Sequence, residues 1–358
     1  MSQLLEYKCP NCGGAIAFSP GAQELVCPYC NGHFPVQSLQ SMDSALNQPA
    51  TEPEWHKQPG AEWSSHEQDG MSVYACSSCG GEIIGDNTLA ATSCPFCGNP
   101  VVMSRQFAGD LRPDLVVPFK QDKAAAIAAL SKHYKGKPFL PKLFRDANRL
   151  EEIKGMYVPF WLFSAHVDAY ISYNATRVRR WSDSNYDYTE TNRYLVNREG
   201  SLAFSNVPCD ASSKMPDDLM DSLEPFDWND AVDFKTAYMA GFFADRYDVD
   251  SVQSAPRANL RIARTTETLF RQSVAGYNTV VPVGQNIHPS HGTVRYGLLP
   301  VWLLSTHWKD KVHTFVMNGQ TGKMVGDLPV SVGKFAAWFL GLAAGIGGII
   351  ALLLHFFN

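Results

Sequence analysis

Two stretches of this chain, CPNCGGAIAFSPGAQELVCPYC and CSSCGGEIIGDNTLAATSCPFC, obey one rule: a C-x-x-C pair, fourteen residues, and a second C-x-x-C pair. The pairs are Cys9/Cys12 with Cys27/Cys30, and Cys76/Cys79 with Cys94/Cys97. A C-x-x-C turn aims two sulfurs at one point, and a second such turn across a short hairpin completes a tetrahedron. Four thiolates around one ion make a closed structural zinc arrangement, with no position left for water or substrate. Gly13, Gly80 and Gly98 follow the second cysteine of three pairs, where a tight knuckle crowds a Cβ. Pro10, Pro28 and Pro95 sit inside three of the turns. The spacing predicts two structural Zn2+ ions, one per set.

Other uses of paired cysteines fit less well. Disulfides need an oxidising compartment, whereas the topology read below places these thiols in a reducing one. A redox C-x-x-C opens a helix in a βαβ unit and is not repeated along a chain. Iron stays chemically open, because the same four thiolates accept it. Ribbons of this kind often meet nucleic acid, but the charge opposes that here. The chain carries a net charge of −5. Residues 1–37 hold only Glu6, Lys8 and Glu24 as charged side chains, and residues 71–104 only Glu82 and Asp86. Each four-thiolate site adds roughly two negative charges more. Phosphates meet no cationic surface on either ribbon. The nearest basic cluster, Arg177, Arg179 and Arg180, is diluted by Asp183, Asp187 and Glu190.

The far end is apolar. FAAWFLGLAAGIGGIIALLL, residues 335–354, runs for twenty residues without a charge, which is enough to span a bilayer core. Lys334 precedes it and a four-residue tail follows. The start, MSQLLEYKCP, has neither the basic nor the apolar region of a secretory signal. Positive flanks stay on the cytoplasmic side. The expectation is a single-pass protein of the cell membrane, anchored at its C-terminus, with its bulk in the cytoplasm. Gly341 and Gly345, spaced as G-x-x-x-G, form a small-residue stripe with Ala337 that allows two copies of the helix to pack.

These features divide the chain into a first ribbon (1–37), a flexible linker (38–70), a second ribbon (71–108), an α+β domain (109–330) and the anchor (331–358). The linker is polar, contains three prolines, and carries Trp55 and Trp63. Within the α+β domain, DKAAAIAALSKHY predicts a helix from Asp122 that stops at Gly136 and Pro138. From Lys154 an apolar run passes into alternation, the pattern of a strand entering a sheet. Residues 256–274 read as a helix, and HTFVMNGQTGKMVGDLP as a hairpin. The fold class expected is multidomain α+β: two small four-cysteine zinc ribbons, a mixed antiparallel-sheet-plus-helix domain, and one C-terminal transmembrane helix.

PFWLFSAH (159–166) and PVWLLSTH (300–307) echo one another, which places His166 and His307 at equivalent positions. Such a pair can serve a second metal or acid/base site, or it can cap strand ends; the second reading is the one adopted. GQTGKM lacks the first glycine and the Ser/Thr of a phosphate loop. Cys209 has no base beside it in sequence. No catalytic residue is expected, and the chain reads as a non-enzyme.

Taken together, the paired ribbons, EEIKGMYVPFWLFSAHVDAYISYNATR, SSKMPDDLM, FKTAYMAGFFADRYDVD, LLPVWLLSTH and FVMNGQTGKMVGDLPVS resemble a bacterial family of tail-anchored, double zinc-ribbon membrane proteins over nearly the whole chain. Members are often labelled TFIIB-type zinc ribbon-containing, or primosomal helicase-like. The helicase label does not suit a chain without a phosphate loop or motor domain. In some genomes such genes lie beside those for SPFH-domain or virion-core-like proteins, so the resemblance implies a membrane-associated complex with protein partners of those kinds. The function expected is a membrane-tethered, zinc-binding adaptor that recruits proteins. The alternative is a nucleic-acid-binding zinc-ribbon factor held at the membrane.

Overall fold

The computed structural model describes Cys9 and residues 16–21, 23–36, 54–57, 62–64, 67–68, 71–86, 93–106, 111–309 and 311–356. Cys12, Gly13 and most of the 38–70 segment lie outside the described residues. The chain forms two compact units. One comprises residues 1–58, 162–208 and 255–294, and the other residues 59–161, 209–254 and 295–358.

The strands, in chain order, begin with β1 (Ala17–Ser19), β2 (Glu24–Val26), β3 (His33–Pro35) and β4 (Trp55–Lys57). Next come β5 (Met71–Ala75), β6 (Glu82–Asp86), β7 (Val102–Gln106) and β8 (Leu115–Val116). Helices α1 (Lys123–Tyr134) and α2 (Ala147–Leu150) precede two long strands, β9 (Lys154–Ser182) and β10 (Asp187–Asp210). The chain continues through α3 (Asp217–Leu223), β11 (Val232–Asp233), β12 (Phe243–Asp245) and α4 (Ser251–Gln272). It closes with β13 (Thr279–Trp308), β14 (Lys311–Asn318), β15 (Met324–Gly326) and α5 (Val332–Phe356).

In the first unit, β1, β2 and β3 form an antiparallel meander in which Leu25 lies opposite Phe34. Buried Cys9, Cys27, Leu25 and Phe34 make a small core, covered by Ile16, Val36 and Leu195. A second core joins β9 and β10 to α4 through Val167, Ile171, Tyr173, Ile262 and Phe270. Helix α4 starts a turn before the expected Pro256. Asp250 and Gln253 form a capping box: the Gln253 N–H donates to the Asp250 carboxylate at 2.8 Å and the Asp250 N–H donates to Gln253 Oε1 at 3.1 Å. Trp55, read from sequence as part of a linker, sits in β4, which pairs in parallel with β13. Its ring meets Phe163 edge-on at 4.9 Å, and its indole N–H donates to Asn259 Oδ1 at 3.1 Å.

In the second unit the sheet order is β11-β8-β13-β9-β12-β6-β5-β7, with β14 on β13 and β15 on β14. Asp122 caps α1 by accepting the Ala125 N–H at 2.7 Å. Ala126, Leu130 and Tyr134 then fall four residues apart on one face of α1, buried against Trp302, Leu304, Phe315 and Met317. Met156 to Phe163 of β9 are buried without interruption, burial then alternates to Ala169 as the sequence pattern predicts, and Ala169 to Tyr173 are buried again. Trp63 packs edge-on to Phe234 at 5.5 Å. Helix α5 has 25 residues, contains an 18-residue stretch of mean hydropathy 2.2 and has no buried residue; by length and composition it can cross a membrane.

Candidate metal centres

The sulfurs of Cys76, Cys79, Cys94 and Cys97 all lie within 4.8 Å of one another. Cys76 and Cys97 are 3.5 Å apart, and Cys79 and Cys94 3.7 Å. A tetrahedron with metal–sulfur bonds of about 2.3 Å has edges of about 3.8 Å, so the four sulfurs fit a zinc-sized ion. The backbone builds each half in the same way. The Cys76 carbonyl accepts the Gly80 N–H and the Cys76 N–H donates to the Gly81 carbonyl, both at 2.9 Å. Cys94 repeats this with Gly98 at 2.9 Å and Asn99 at 2.7 Å. The fifth residue of each knuckle must be left-handed, and Gly80 and Gly98 have φ of 69° and 73°.

In the first set, the sulfurs of Cys9, Cys27 and Cys30 also lie within 4.8 Å of one another, with Cys9 and Cys30 3.5 Å apart. Cys12, the fourth ligand expected from the sequence, lies outside the described residues. The Cys27 knuckle has the same pair of backbone hydrogen bonds, to Asn31 and Gly32, both at 2.9 Å. Here Asn31 takes the left-handed position with φ 53°. Asparagine is the residue that best tolerates it after glycine, which explains the one knuckle without a following glycine.

Without a cation the thiols of the second set titrate apart. Burial pushes the Cys94 thiol well above the ordinary range and raises that of Cys79. Burial acts most strongly on Cys76 too, but the backbone N–H groups of Cys79 and Ser78, together with the Cys97 and Cys79 thiols, outweigh it and bring this thiol down to about 7. A bound dication converts such a mixed set to four thiolates, which is the coupling of metal affinity to protonation seen in structural sites.

Residues distant in sequence clasp the Cys94–Cys97 knuckle. Ser305 Oγ donates to the Pro95 carbonyl at 3.0 Å, and His307 Nε2 lies 2.5 Å from the Cys97 carbonyl. These two side chains are two apart on β13 and therefore share a face. Lys154, at the start of β9, donates its ammonium to the carbonyl and hydroxyl of Ser93 at 2.6 and 2.5 Å. Burial lowers the Lys154 pKa, while the charge of Cys94 opposes that shift. Asn99 Nδ2 donates to Ser78 Oγ at 2.7 Å and reaches Cys97 Sγ at 3.5 Å, so it ties one knuckle to the other. Strand β6, which leaves the first knuckle, pairs with β12, and Arg246 forms an ion pair with Glu82 beside it.

His307 therefore serves the knuckle of the second set. Its sequence counterpart His166 belongs to the other unit, exposed on β9, with the ring of His291 at 6.0 Å. Cys209 is fully buried. Gly341 and Gly345 line a groove on α5 with Ala337 and Trp338. Sequence reasoning passed over Gly81, Asn99, Lys154 and Ser305. The doubled glycine of CSSCGG was the available signal for the first: a Cβ on Gly81 would lie 2.9 Å from the Phe96 ring.

No family model matches the chain, and no solved structure does. It is similar to the uncharacterized protein YdjG of Bacillus subtilis (strain 168), with 35% identity over 342 residues that cover 96% of this chain and 95% of YdjG. A relationship of that identity along almost the full length of both proteins places this chain in the same family as YdjG.

Proposed function

We propose that this protein is a membrane-tethered, zinc-binding adaptor: α5 anchors it, two zinc ions hold the cysteine sets folded, and the ribbon surfaces recruit protein partners. The observation that carries the tethering is α5. Its 25 residues measure about 37 Å at 1.5 Å each, against a hydrocarbon core of about 30 Å. Its base is tied down in the second unit. Ser331 N–H donates to the Phe139 carbonyl at 2.8 Å, Lys334 Nζ donates to the Leu140 carbonyl at 2.6 Å, and the Phe139 ring meets Phe335 and Trp338 edge-on. Zinc is the ion that suits a closed thiolate set with tetrahedral edges. A set with all four positions taken by protein offers no substrate a coordination site, which favours a structural role over a catalytic one.

Tethering raises the local concentration of whatever the ribbons hold at the membrane. The family resemblance points to SPFH-domain or virion-core-like membrane-associated proteins as partners, and the Gly341/Gly345 stripe to helix pairing between copies. The test is affinity purification of the full chain from detergent-solubilised membranes, comparing wild type with Cys9→Ser/Cys76→Ser. Protein partners lost with the double variant support the adaptor and name its client. Unchanged proteins together with loss of nuclease-sensitive nucleic acid would replace the adaptor with the nucleic-acid factor.

A further inference from the structure

From Ser131 to Arg145 the chain reads SKHYKGKPFLPKLFR, with Lys132, Lys135, Lys137, Lys142 and Arg145 and no carboxylate. These five cations, all exposed, surround the C-terminal end of α1 and the loop that follows it. Arg145 Nη2 donates to the backbone carbonyls of Tyr134 and Lys137 at 3.4 and 2.6 Å, which folds the loop back over the helix end. The result is a cleft of about 680 Å³ lined by Lys132, Tyr134, Lys135, Gly136 and Arg145. Tyr134 is 3% exposed, and its hydroxyl has no hydrogen-bond partner among the described residues. The helix dipole accounts for Lys132, in the last turn of α1. It does not account for Lys137 and Lys142, which lie outside the helix. Asp146 follows Arg145 directly and is exposed, but it does not line the cleft; Glu151, further along, pairs with Lys123 at 3.5 Å.

The same loop holds the base of α5, through Phe139 and Leu140. Lys137 and Lys142 are two residues from these contacts, so their Cα atoms stand within roughly 7 Å of residues touching the first turn of α5. Lys135 and Gly136 of the cleft are four and three residues from Phe139, so the cleft lies within roughly 15 Å of a residue that touches the first turn of α5.

We infer that this cleft is a binding site for the headgroups of anionic phospholipids in the leaflet that α5 enters. The inference rests on the reading of α5 as a membrane anchor. The charge complementarity is direct: a phosphodiester meets several N–H donors in a cleft that contains no acid. A lysine near an anionic surface strengthens binding by roughly fivefold.

The test uses the full chain in a nonionic detergent, titrated with dihexanoyl-phosphatidylglycerol, dihexanoyl-phosphatidylcholine and inorganic phosphate, and followed by tryptophan fluorescence. Phosphatidylglycerol is expected to bind and phosphatidylcholine not to. Lys132→Gln/Lys135→Gln should weaken the anionic lipid roughly 30-fold, whereas Arg179→Gln/Arg180→Gln, which removes the same charge from another unit, should leave it unchanged. Equal binding of the two lipids, equal loss in both variants, or phosphate binding as tightly as phosphatidylglycerol would overturn the lipid assignment. Recovery of the wild-type chain in carbonate-washed membranes is scored separately. Its failure removes the anchor itself, whereas retention with lipid-indifferent binding removes only the headgroup site.

Discussion

Replacing both Ser305 and His307 by alanine takes away the two β13 donors that hold the Cys94–Cys97 knuckle. The Pro95 carbonyl loses a hydroxyl 3.0 Å away, from a half-buried side chain, and the Cys97 carbonyl loses an imidazole at 2.5 Å from an exposed one. A hydrogen bond contributes about 1 kcal/mol, more where no water can replace the donor and less where it can. The pair therefore contributes about 2 kcal/mol, or roughly 30-fold in the equilibrium between closed and open knuckle. If release of the ion requires that opening, zinc leaves the second set about 30-fold faster. The assay is transfer of zinc from the loaded full chain to a chromophoric chelator, which resolves one phase per cysteine set. The fast phase of the variant belongs to the second set, and the phase of the Cys9 set keeps its wild-type rate. Ser305→Thr/His307→Gln, which retains a donor at both positions, recovers most of the wild-type rate. Unchanged release from the double alanine variant, or equal acceleration of both phases, refutes the clasp.

Gly81→Ala places a Cβ 2.9 Å from the Phe96 ring and 3.4 Å from Cys79 Sγ; overpacking of this kind costs about 1–3 kcal/mol, read as a lower unfolding midpoint of the zinc-loaded chain. Asn31→Val forces a β-branched residue into φ 53° and should cost the first set about 1–2 kcal/mol, whereas Asn31→Gly should be close to neutral in the same chelator assay. The Asp245 carboxyl is fully buried, and burial pushes its pKa up to about 8, with Ser212 pulling it down and the Asp248 charge adding to the rise. The folded state therefore holds a proton that the unfolded state has released above about pH 4. The stability it gives is complete below that pH and is lost as pH rises through about 8. Thermal midpoints should fall across that window for wild type, and much less for Asp245→Asn.

The parts of the molecule legible in the sequence are those set by short-range chemistry. The three knuckles among the described residues follow from i,i+3 cysteines with a residue able to turn left-handed. Helix α1 follows from an alanine-rich run between Asp122 and Gly136, and β9 from an apolar run that passes into alternation. What escaped detection depends on pairs far apart in the chain. His307 and Cys97 are separated by 210 residues, and the echo with His166 drew attention to the histidine without indicating its partner. Trp55 looked like a stray aromatic because its neighbours are polar; its strand exists through partners on β13 and α4. The five cations from Lys132 to Arg145 are spread among Gly, Pro and Phe, so no consecutive run marks them, and only the folded loop brings Lys132, Lys135 and Arg145 around one cleft.

The proposed adaptor holds zinc in both cysteine sets and resides in the membrane. Its most direct test is the metal content of the full chain purified from carbonate-washed membranes, measured by mass spectrometry of the elements together with protein mass. Two zinc ions per chain are expected in that fraction, falling to one in Cys94→Ser. Recovery of the chain in the soluble fraction, or a membrane-bound chain whose cysteine sets carry no zinc, would contradict it.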